Sequence, residues 1–404
     1  MGGNRLLAVL IIVIIVASLA LFCDSHITLP HEKSPEASYK HPFYFGYQFT
    51  IITDTTRHRS RGSGFVELDD EWLICWRDGD FHDTSYYNST IRCADTCNNS
   101  LILENEREVY SEADCDVTDI RVWMMDDGRI GIMAERFPRL ANGKADYPVF
   151  IYSDDDGATW KHEILDDVEG NISYDWIRYP ASVGGDDDGG WIGFLHQSRL
   201  AERDKDIYAV YTVDNGLTWN MTRVIHDTEG LLDAYDVTDE PIIQRLGDED
   251  KWIMMLRVEL GSDSIITPLF KSTDLFTWTE PYDTGQSQRR NPSRIIYDEG
   301  YITWIAATRP YHYEDSDMRA IPVDGEIFQG LVIQTVNADE LWDDPDCWTG
   351  WSELARLPHI HGDPSFWKID GKWFGILGIY EGAAGIGKST EKTYSQLAII
   401  SPLT

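Results

Sequence analysis

An eight-residue turn pattern recurs along this chain at a nearly constant interval. Ser153-Asp-Asp-Asp-Gly-Ala-Thr-Trp160 returns 59 residues later as Thr212-Val-Asp-Asn-Gly-Leu-Thr-Trp219, and a shortened copy, Ser272-Thr-Asp-Leu-Phe-Thr-Trp278, begins 60 residues after that. In each full copy the Asp side chain is expected to bond backbone N–H groups across the bend, Gly allows a positive φ, and Trp packs under the turn. A fixed interval is typical of folds built from one repeated unit, so this repeat constrains the architecture more than any single residue does.

A second pattern accompanies each turn: a strand, a tight acidic or glycine-containing turn, and another strand. Clear examples occupy residues 64–76, 122–133 and 242–256. Extending the register in both directions gives six units of about sixty residues, from near residue 43 to the C-terminus. Short strands with evenly spaced turns predict an all-β fold, a six-bladed β-propeller over residues 43–404 with one four-stranded sheet per blade.

The N-terminal segment differs in character from the repeats. An uncharged apolar run occupies residues 6–22, between Arg5 and Asp24. This run is at the short limit for a membrane span and long for the apolar part of a signal peptide. Residues 1–23 are therefore expected to form an N-terminal hydrophobic helix, as a signal anchor or a cleaved signal peptide, and the pattern favours the anchor. With residues 24–42 as a linker, the propeller is expected at the extracellular face of a membrane or secreted.

The charge balance restricts the partners. The sequence holds 69 acidic and 34 basic residues, a formal net charge of −35. Such an excess disfavours nucleic acid and anionic membrane surfaces as partners. It fits a protein adapted to high salt and a soluble secreted protein equally well. Four Asn-x-Ser/Thr sequons fit an exported glycoprotein, and these begin at Asn88, Asn98, Asn171 and Asn220.

Cysteines and possible metal ligands give weaker signals. Five cysteines follow residues 1–23, an odd number, so one thiol remains if the others pair. The sequence predicts a loop-stapling disulfide involving Cys97 and Cys115. His359 and His361 beside Asp363 have a metal-like spacing, but such alternation on a loop is more often solvated. No cofactor or metal site is expected, although so acidic a chain leaves a structural calcium ion open; no loop has EF-hand spacing.

Charged residues stand where the innermost strand of each predicted blade begins, at the face that binds ligands in propellers. The pairs Thr118-Asp119, Asp239-Glu240 and Gly362-Asp363 occupy this level, and adjoining second strands end near Arg77 and Arg257. Surrounding a pocket with both signs of charge is costly without a ligand or partners. The sequence therefore predicts that this face binds a polar ligand.

The repeated turns and the charged face together resemble the sialidase superfamily of six-bladed propellers, whose Asp boxes carry this octapeptide. The resemblance covers nearly everything after residue 42 and implies that the boxes are structural rather than catalytic. Sialidases hold a substrate carboxylate with three arginines, because a guanidinium fork matches a carboxylate. The third arginine is ambiguous between two positions. The resemblance implies Arg61, Arg257 and Arg309 or Arg319 as these arginines. Arg77 and Tyr380, where second strands end at the same face, are expected to bind substrate with them.

The resemblance also implies catalytic roles. The acid/base group of sialidases follows the first hairpin, where this chain has Asp83, with Asp80 as second choice and His82 as another titrating group. Glu240 matches the family's glutamate, but Asp363, followed by proline, occupies the place of the tyrosine nucleophile. A tyrosine-based mechanism is therefore not expected. Glu240 and Asp363 would instead act as the pair of carboxylates that can cleave a glycosidic bond.

These observations predict an exported, sialidase-like glycoside hydrolase that acts on terminal sugars of glycans, acidic sugars included. The alternative is a non-catalytic glycan-binding or adhesion propeller, on a cell surface or a virus particle, that has lost the sialidase nucleophile. A lyase or transferase acting on acidic sugars is a third option. The missing tyrosine favours the binding protein, whereas Glu240 with Arg257 and the other carboxylates favour the enzyme. Of these alternatives, the sequence favours the enzyme.

Overall fold

A computed structural model shows that the described chain is almost entirely β-structure. It describes residues 27–28, 47–51, 63–69, 71–79, 89–97, 103–138, 147–166, 168, 171–178, 189–196, 206–225, 237–247, 250–260, 264–282, 284, 290–308, 321–323, 326–328, 330–348, 352–356, 360–369, 372–380 and 395–402. Within these ranges no helix has the length and apolar character needed to cross a membrane. The predicted anchor or signal segment lies outside them, as does the predicted linker except for two residues.

The strands follow one another with short connections or turns between most of them. Those of the N-terminal half are β1 (Ile27–Thr28), β2 (Tyr47–Ile51), β3 (Ser63–Glu67), β4 (Glu71–Asp78), β5 (Thr90–Cys97), β6 (Glu104–Tyr110), β7 (Cys115–Met124), β8 (Ile130–Pro138), β9 (Val149–Ser153), β10 (Lys161–Ile164), β11 (Asn171–Arg178), β12 (Trp191–His196), β13 (Ile207–Thr212) and β14 (Asn220–Ile225).

The C-terminal half adds further strands and one short helix. These elements are β15 (Val237–Arg245), β16 (Trp252–Leu260), β17 (Ser264–Ile266), β18 (Leu269–Ser272), β19 (Arg290–Asp298), β20 (Tyr301–Thr308), β21 (Ile321–Val323), β22 (Glu326–Phe328), β23 (Gly330–Asn337), α1 (Ala338–Asp343), β24 (Ser352–Arg356), β25 (Ile360–Ile369), β26 (Lys372–Tyr380) and β27 (Ser395–Pro402).

The strands form a succession of small antiparallel sheets, which we call sheets I to VI in chain order. Sheet I is β3-β4-β5-β6, sheet II is β7-β8-β9-β10, and sheet III is β11-β12-β13-β14. Sheet IV pairs β15 with β16, and β16 with both β17 and β18; sheet V is β19-β20-β23-β24. Sheet VI runs β25-β26-β27-β2-β1, so N-terminal strands complete the sheet that holds the C-terminus. The hairpin β21-β22 lies within the connection between β20 and β23.

The sequence-based units begin near residue 43. In the structure, Tyr47–Ile51 pairs with β27 at the far end of the chain and not with a strand of sheet I. Residues 27–28 of the predicted linker extend the same sheet by pairing with β2. Strand pairing over such a distance in sequence leaves no local pattern that a repeat can reveal.

The first strands of consecutive sheets lie against one another. β3 contacts β7, β7 contacts β11, β11 contacts β15, β15 contacts β19, β19 contacts β25, and β25 contacts β3. Each first strand pairs within its own sheet along one edge, and no strand ladder joins it to the neighbouring first strands. This arrangement brings the first strands together and places the other strands of each sheet further from this contact.

Apolar side chains fill the spaces between neighbouring sheets. In sheet IV, Ile242 and Ile253 belong to the core shared with sheet V, whereas Ile243 and Met254 belong to the core shared with sheet III. Successive side chains of a strand point to opposite faces, so both faces of sheet IV are buried. This explains the continuous apolar runs in these strands, and truncating one of the large buried side chains to Ala typically costs about 2–5 kcal/mol.

The repeated turns contain the hydrogen bonds that the sequence predicts. Asp155 Oδ1 accepts from Thr159 N at 2.7 Å, and the same bond joins Asp214 to Thr218 N at 2.8 Å. The indole of Trp160 lies under its turn and donates to Gly157 O at 3.0 Å. In sheet V, β23 is followed by α1 instead of by a repeated turn, and the Asn337 side chain caps the N-terminus of this helix. These turns stand between the third and fourth strands, away from the first strands.

The predicted disulfide between Cys97 and Cys115 is wrong. Cys75 and Cys93 face each other directly on β4 and β5 and form a disulfide, with a Cα–Cα distance of 4.1 Å. Cys115 is a buried free thiol that donates to Asp116 O at 3.3 Å. Pairing of cysteines on adjacent strands depends on strand register, which the sequence did not supply.

Candidate functional site

The first strand of most sheets is irregular in its first half. In sheet II the pairing of β7 with β8 shifts between Thr118 and Arg121. Asp119 and Ile120 therefore both lie opposite Ala134 of β8. A bulge of this kind bends the strand, re-aims a side chain and is common beside active sites.

Similar shifts occur at the corresponding level of four other first strands. They lie between Ile172 and Trp176 in sheet III, Asp239 and Ile242 in sheet IV, Pro292 and Arg294 in sheet V, and His361 and Ser365 in sheet VI. The two carboxylates predicted from the sequence to be catalytic both fall inside these shifts, Glu240 in sheet IV and Asp363 in sheet VI. The irregular positions and the predicted functional positions thus coincide along the chain.

Proline is the sequence signal in three of these five irregular strands, those of sheets IV, V and VI. Pro241 follows Glu240 and Pro364 follows Asp363, while Pro292 stands directly before the shift in sheet V. Proline has no N–H to donate to a strand ladder and is tolerated inside a sheet mainly at edges and bulges. An acidic residue next to proline on a first strand therefore indicates a bulge, a signal that the sequence analysis did not use.

Asp119 is the described residue with the most unusual backbone at this level. Its φ is +50° and only 4% of its surface is exposed. A residue with a Cβ pays about 1–2 kcal/mol in the left-handed region, and such conformations persist where surrounding structure enforces them, often at functional sites. Next to it, the buried Thr118 hydroxyl has no hydrogen-bond partner among the described residues. Glu135 lies opposite Thr118 on β8 and is also buried.

The backbone register fixes the neighbours of the other predicted residues. Arg257 on β16 lies opposite Asp239, directly beside the shift that contains Glu240. Tyr380 is the last residue of β26 and pairs with Ser395, at the end of the sheet that carries Asp363 on β25. The structure therefore brings Glu240 and Arg257 to one end of sheet IV, and Asp363 and Tyr380 to one end of sheet VI.

Several predicted residues lie outside the described ranges. These are Arg61, Asp80, His82, Asp83, Arg309, Arg319 and His359. Their assignment remains a prediction from the sequence. Among the described residues, no group of three or more His, Cys, Asp and Glu side chains is arranged to hold a metal ion.

Arg77, predicted to bind substrate, has a protein partner on the first strand of sheet II. Its guanidinium lies 3.1 Å from an Asp116 carboxylate oxygen, and both side chains are 1% exposed. Arg77 Nε also donates to Val117 O at 3.1 Å. Removing either member of such an enclosed ion pair would leave a buried charge without a partner, so the pair holds sheet I against sheet II. A direct contact of Arg77 with a ligand stays a prediction from the sequence.

A described tyrosine–glutamate pair lies elsewhere in the fold. Tyr110 Oη donates to Glu112 Oε2 at 2.9 Å, and Arg136 binds the same carboxylate. Burial and the bond to Glu112 hold the pKa of Tyr110 well above its usual range, so the phenol stays protonated. Its ring packs edge-on against His162 of the outer strand β10, with the ring centroids 5.0 Å apart. This pair lies on outer strands, away from the first strands at which the sequence predicts the ligand site.

Comparison with known proteins gives structural matches only. No protein-family profile and no curated protein sequence matches this chain. The endosialidase of phage phi92 matches with a TM-score of 0.60 at 10% identity, covering 89% of this chain and 70% of that one. Trypanosoma rangeli sialidase in complex with sialic acid matches with a TM-score of 0.54 at 13% identity, covering 94% and 59%. An alpha-l-arabinofuranosidase from Fusarium graminearum matches with a TM-score of 0.51 at 11% identity, covering 86% and 97%.

These likenesses show that the chain has the fold of propeller sialidases. At such low identity they carry no information about its activity. The class of protein is therefore set by fold alone, and the chemistry has to be argued from the residues at the first strands.

Proposed function

We propose that this chain is an exported glycoside hydrolase that acts on terminal sugars of glycans, acidic sugars included. In this proposal, sheets I to VI are the blades of a closed six-bladed propeller, and the order of contacts between first strands supports closure. The sugar binds where the first strands carry their register shifts. The chain is exported through its N-terminal segment and is tethered to the membrane or secreted.

The observation that carries the proposal is the position of Glu240 and Asp363. Both lie inside register shifts, at corresponding levels of first strands from different sheets. A bulge interrupts the regular pairing of a strand and therefore does not by itself stabilise the sheet. Its recurrence at acidic positions is best explained by a function of those acidic residues. Two carboxylates on opposite sides of a bound sugar are what glycosidic cleavage requires.

The proposed roles follow from this placement. One of Glu240 and Asp363 attacks the anomeric carbon or activates a water molecule, and the other stabilises the positive charge that develops on the sugar ring; the separation of the attacking or activating carboxylate from the proton donor decides between retention and inversion. Asp83 donates the proton to the leaving oxygen. Arg61, Arg257 and Arg309 bind the sugar's carboxylate or hydroxyl groups, with Tyr380 at the rim. The structural neighbours include sialidases and an arabinofuranosidase, which supports a sugar as the ligand.

A non-catalytic glycan-binding propeller is the second candidate. The observation that favours it is Asp363 followed by Pro364, in the place where sialidases have a tyrosine nucleophile. Pro364 lacks an N–H and has a fixed φ, so the backbone at this place is restricted as well as the side chain changed. A protein of this kind would keep the bulged strands for recognition alone.

Turnover by variants distinguishes the two candidates. The full chain is screened against fluorogenic glycosides, including sialosides and uronosides, together with Glu240→Gln and Asp363→Asn. Glu163→Gln and Asp166→Asn, at exposed positions of sheet II and the turn after it, are matched controls. The hydrolase proposal predicts that both site variants lose at least about a hundredfold in kcat/KM while the controls keep it, since each removes a group that acts in the transition state.

The opposite pattern supports the second candidate. No turnover on any glycoside, together with glycan-array binding that Arg257→Ala removes and Arg92→Ala keeps, contradicts the hydrolase and leaves a binding protein. Arg92 is a suitable control because it lies in a partly exposed surface pair with Glu106, at 2.6 Å.

A further inference from the structure

Both ends of one connection in sheet I are fastened to the same residue of the neighbouring first strand. Arg77 stands at the end of β4 and Ser89 directly precedes β5. Arg77 Nε donates to Val117 O at 3.1 Å, and the Ser89 hydroxyl donates to the same oxygen at 2.8 Å. The Ser89 hydroxyl also accepts from Val117 N at 2.8 Å. Val117 lies on β7, two residues before Asp119.

The topology explains why Val117 needs these partners. β7 pairs with β8 along one edge only, so backbone groups on its other edge, those of Val117 included, have no strand partner. Buried backbone N–H and C=O groups require hydrogen-bond partners, and here the side chains of Arg77 and Ser89 supply them. The bonds thus join two sheets where no strand ladder does.

The contact is enclosed and charge-assisted. Arg77 Nη2 donates to both oxygens of Asp116, at 3.2 and 3.1 Å, and Asp116 Oδ1 accepts from Val117 N at 3.0 Å. Arg77, Asp116 and Ser89 are at most 2% exposed. Hydrogen bonds between ionised groups are stronger than neutral ones, and exclusion of water strengthens them further.

Gly79 allows the two ends to approach each other. A Cβ at this position would lie 3.0 Å from Arg77 Nη2 and 3.0 Å from Ser89 Cβ. Such distances are tighter than ordinary van der Waals contact, so a larger residue displaces the guanidinium or the serine. The glycine is therefore part of the same arrangement, which we call the stem clamp: Arg77, Gly79, Ser89 and Asp116.

We propose that the stem clamp is a positioning device for the ligand site. It holds the two ends of the β4–β5 connection against β7, beside the register shift at Asp119, and so determines where the residues of that connection meet the sugar. Asp83, the proposed proton donor, belongs to this connection. The inference rests on the proposed function of the site, and its residues act through the connection rather than by touching the sugar.

The test uses the full chain with Ser89→Ala, Gly79→Ala and Arg77→Lys. Ser89→Thr keeps a hydroxyl at the same place, while Thr273→Ala removes an exposed hydroxyl elsewhere and Arg92→Lys changes a surface arginine, so these two are controls. Hydrogen exchange is measured for amides 77–79, 89–91 and 116–118. Loss of the serine hydroxyl removes two hydrogen bonds, and we expect about tenfold faster exchange in Ser89→Ala, with wild-type rates in Ser89→Thr and the controls.

Kinetics then separate positioning from stability. On a glycoside that the wild type hydrolyses, the clamp variants are expected to lose about tenfold in kcat while KM changes less than about threefold, because a displaced donor weakens the transition state more than ground-state binding. Unchanged exchange in Ser89→Ala overturns the clamp. Faster exchange with an unchanged kcat in Ser89→Ala overturns the positioning role of the clamp. The proposed function is unaffected by that result when Asp83→Asn abolishes turnover.

The proposed function can fail separately. Where no glycoside is hydrolysed but a glycan binds, the same variants are compared by dissociation constant. A roughly tenfold weaker affinity in Ser89→Ala, restored in Ser89→Thr, supports the positioning role at a binding site. An unchanged dissociation constant alongside faster exchange overturns it.

Discussion

Replacing Gly157 with alanine tests how tightly the repeated turn of sheet II is held against sheet I. Gly157 has a φ of +82°, and a Cβ there would lie 3.0 Å from both Arg107 Nη2 and Leu73 Cδ2. Its carbonyl accepts a 2.7 Å hydrogen bond from Arg107 Nε on β6. Gly128, in the hairpin turn of sheet II, has a φ of +84° and no atom within 4 Å of the place that a Cβ would occupy, so it is a matched control.

The expected magnitudes follow from this pair. Both substitutions place alanine in the left-handed region, at about 1–2 kcal/mol each, and both reduce the entropy of the unfolded chain equally. Gly157→Ala additionally crowds Leu73 and displaces a partly exposed charged hydrogen bond, which adds about 1–3 kcal/mol. We therefore expect Gly157→Ala to be more destabilising than Gly128→Ala by roughly that amount.

Urea denaturation followed by tryptophan fluorescence measures the difference through the transition midpoints. In an Arg107→Met background the extra cost of Gly157→Ala should shrink, because the displaced hydrogen bond is already absent. Equal midpoints for the two glycine variants, or an undiminished difference in the Arg107→Met background, would refute the reasoning.

Other predictions concern titration and cysteine chemistry. Hydrogen bonds from the Thr159 side chain and backbone hold the pKa of Asp155 below its usual value. A carboxylate whose pKa is lower in the folded state stabilises the fold at pH values above its unfolded pKa of about 3.9, and this stabilisation is lost as the pH falls. The difference in unfolding free energy between wild type and Asp155→Asn should therefore be larger at pH 7 than near pH 2.5, which urea titrations at both pH values measure. Burial raises the pKa of Cys347 to about 11. Iodoacetamide should therefore alkylate it roughly a hundredfold more slowly than an ordinary thiol at about pH 8, and a normal rate by peptide mapping would contradict this. Non-reducing peptide mapping should find Cys75 linked to Cys93, and replacing both with alanine should cost about 3 kcal/mol of stability in a denaturation assay.

The sequence predicted the parts of this fold that depend on local chemistry. The turn around Asp155 could be foreseen because its acceptor, its donor Thr159 and its glycine stand within a few residues of one another. The strand–turn–strand units could also be predicted, because strands buried on both faces appear in the sequence as continuous apolar runs between turn residues. The all-β character and the small antiparallel sheets follow from these local signals.

Features set by distant pairing were not accessible in the same way. Tyr47–Ile51 joins the last sheet through β27, and no residue in either strand indicates this. Arg77 was predicted to bind substrate from its charge at the end of a second strand, and the sequence did not indicate that it pairs with Asp116 on the next sheet. The cross-strand cysteines likewise required the register of β4 with β5.

The candidate site could be predicted from the sequence only in part. Glu240 and Asp363 were found from the position of each residue in its unit, and the structure adds that both lie in register shifts. The prolines that follow them were the available signal for those shifts. Asp119 has no such proline, and its left-handed backbone was not foreseeable from the sequence.

The most direct test of the account is hydrogen exchange of the full chain with and without the sugar that the glycoside screen or the glycan array identifies. A ligand at the proposed site should slow exchange of amides in the first halves of β7, β15 and β25, around Asp119, Glu240 and Asp363. Exchange in the repeated turns at residues 153–160 and 212–219 should stay unchanged. Slowing confined to those turns, or to the outer strands β10 and β14, would contradict a glycan site at the first strands.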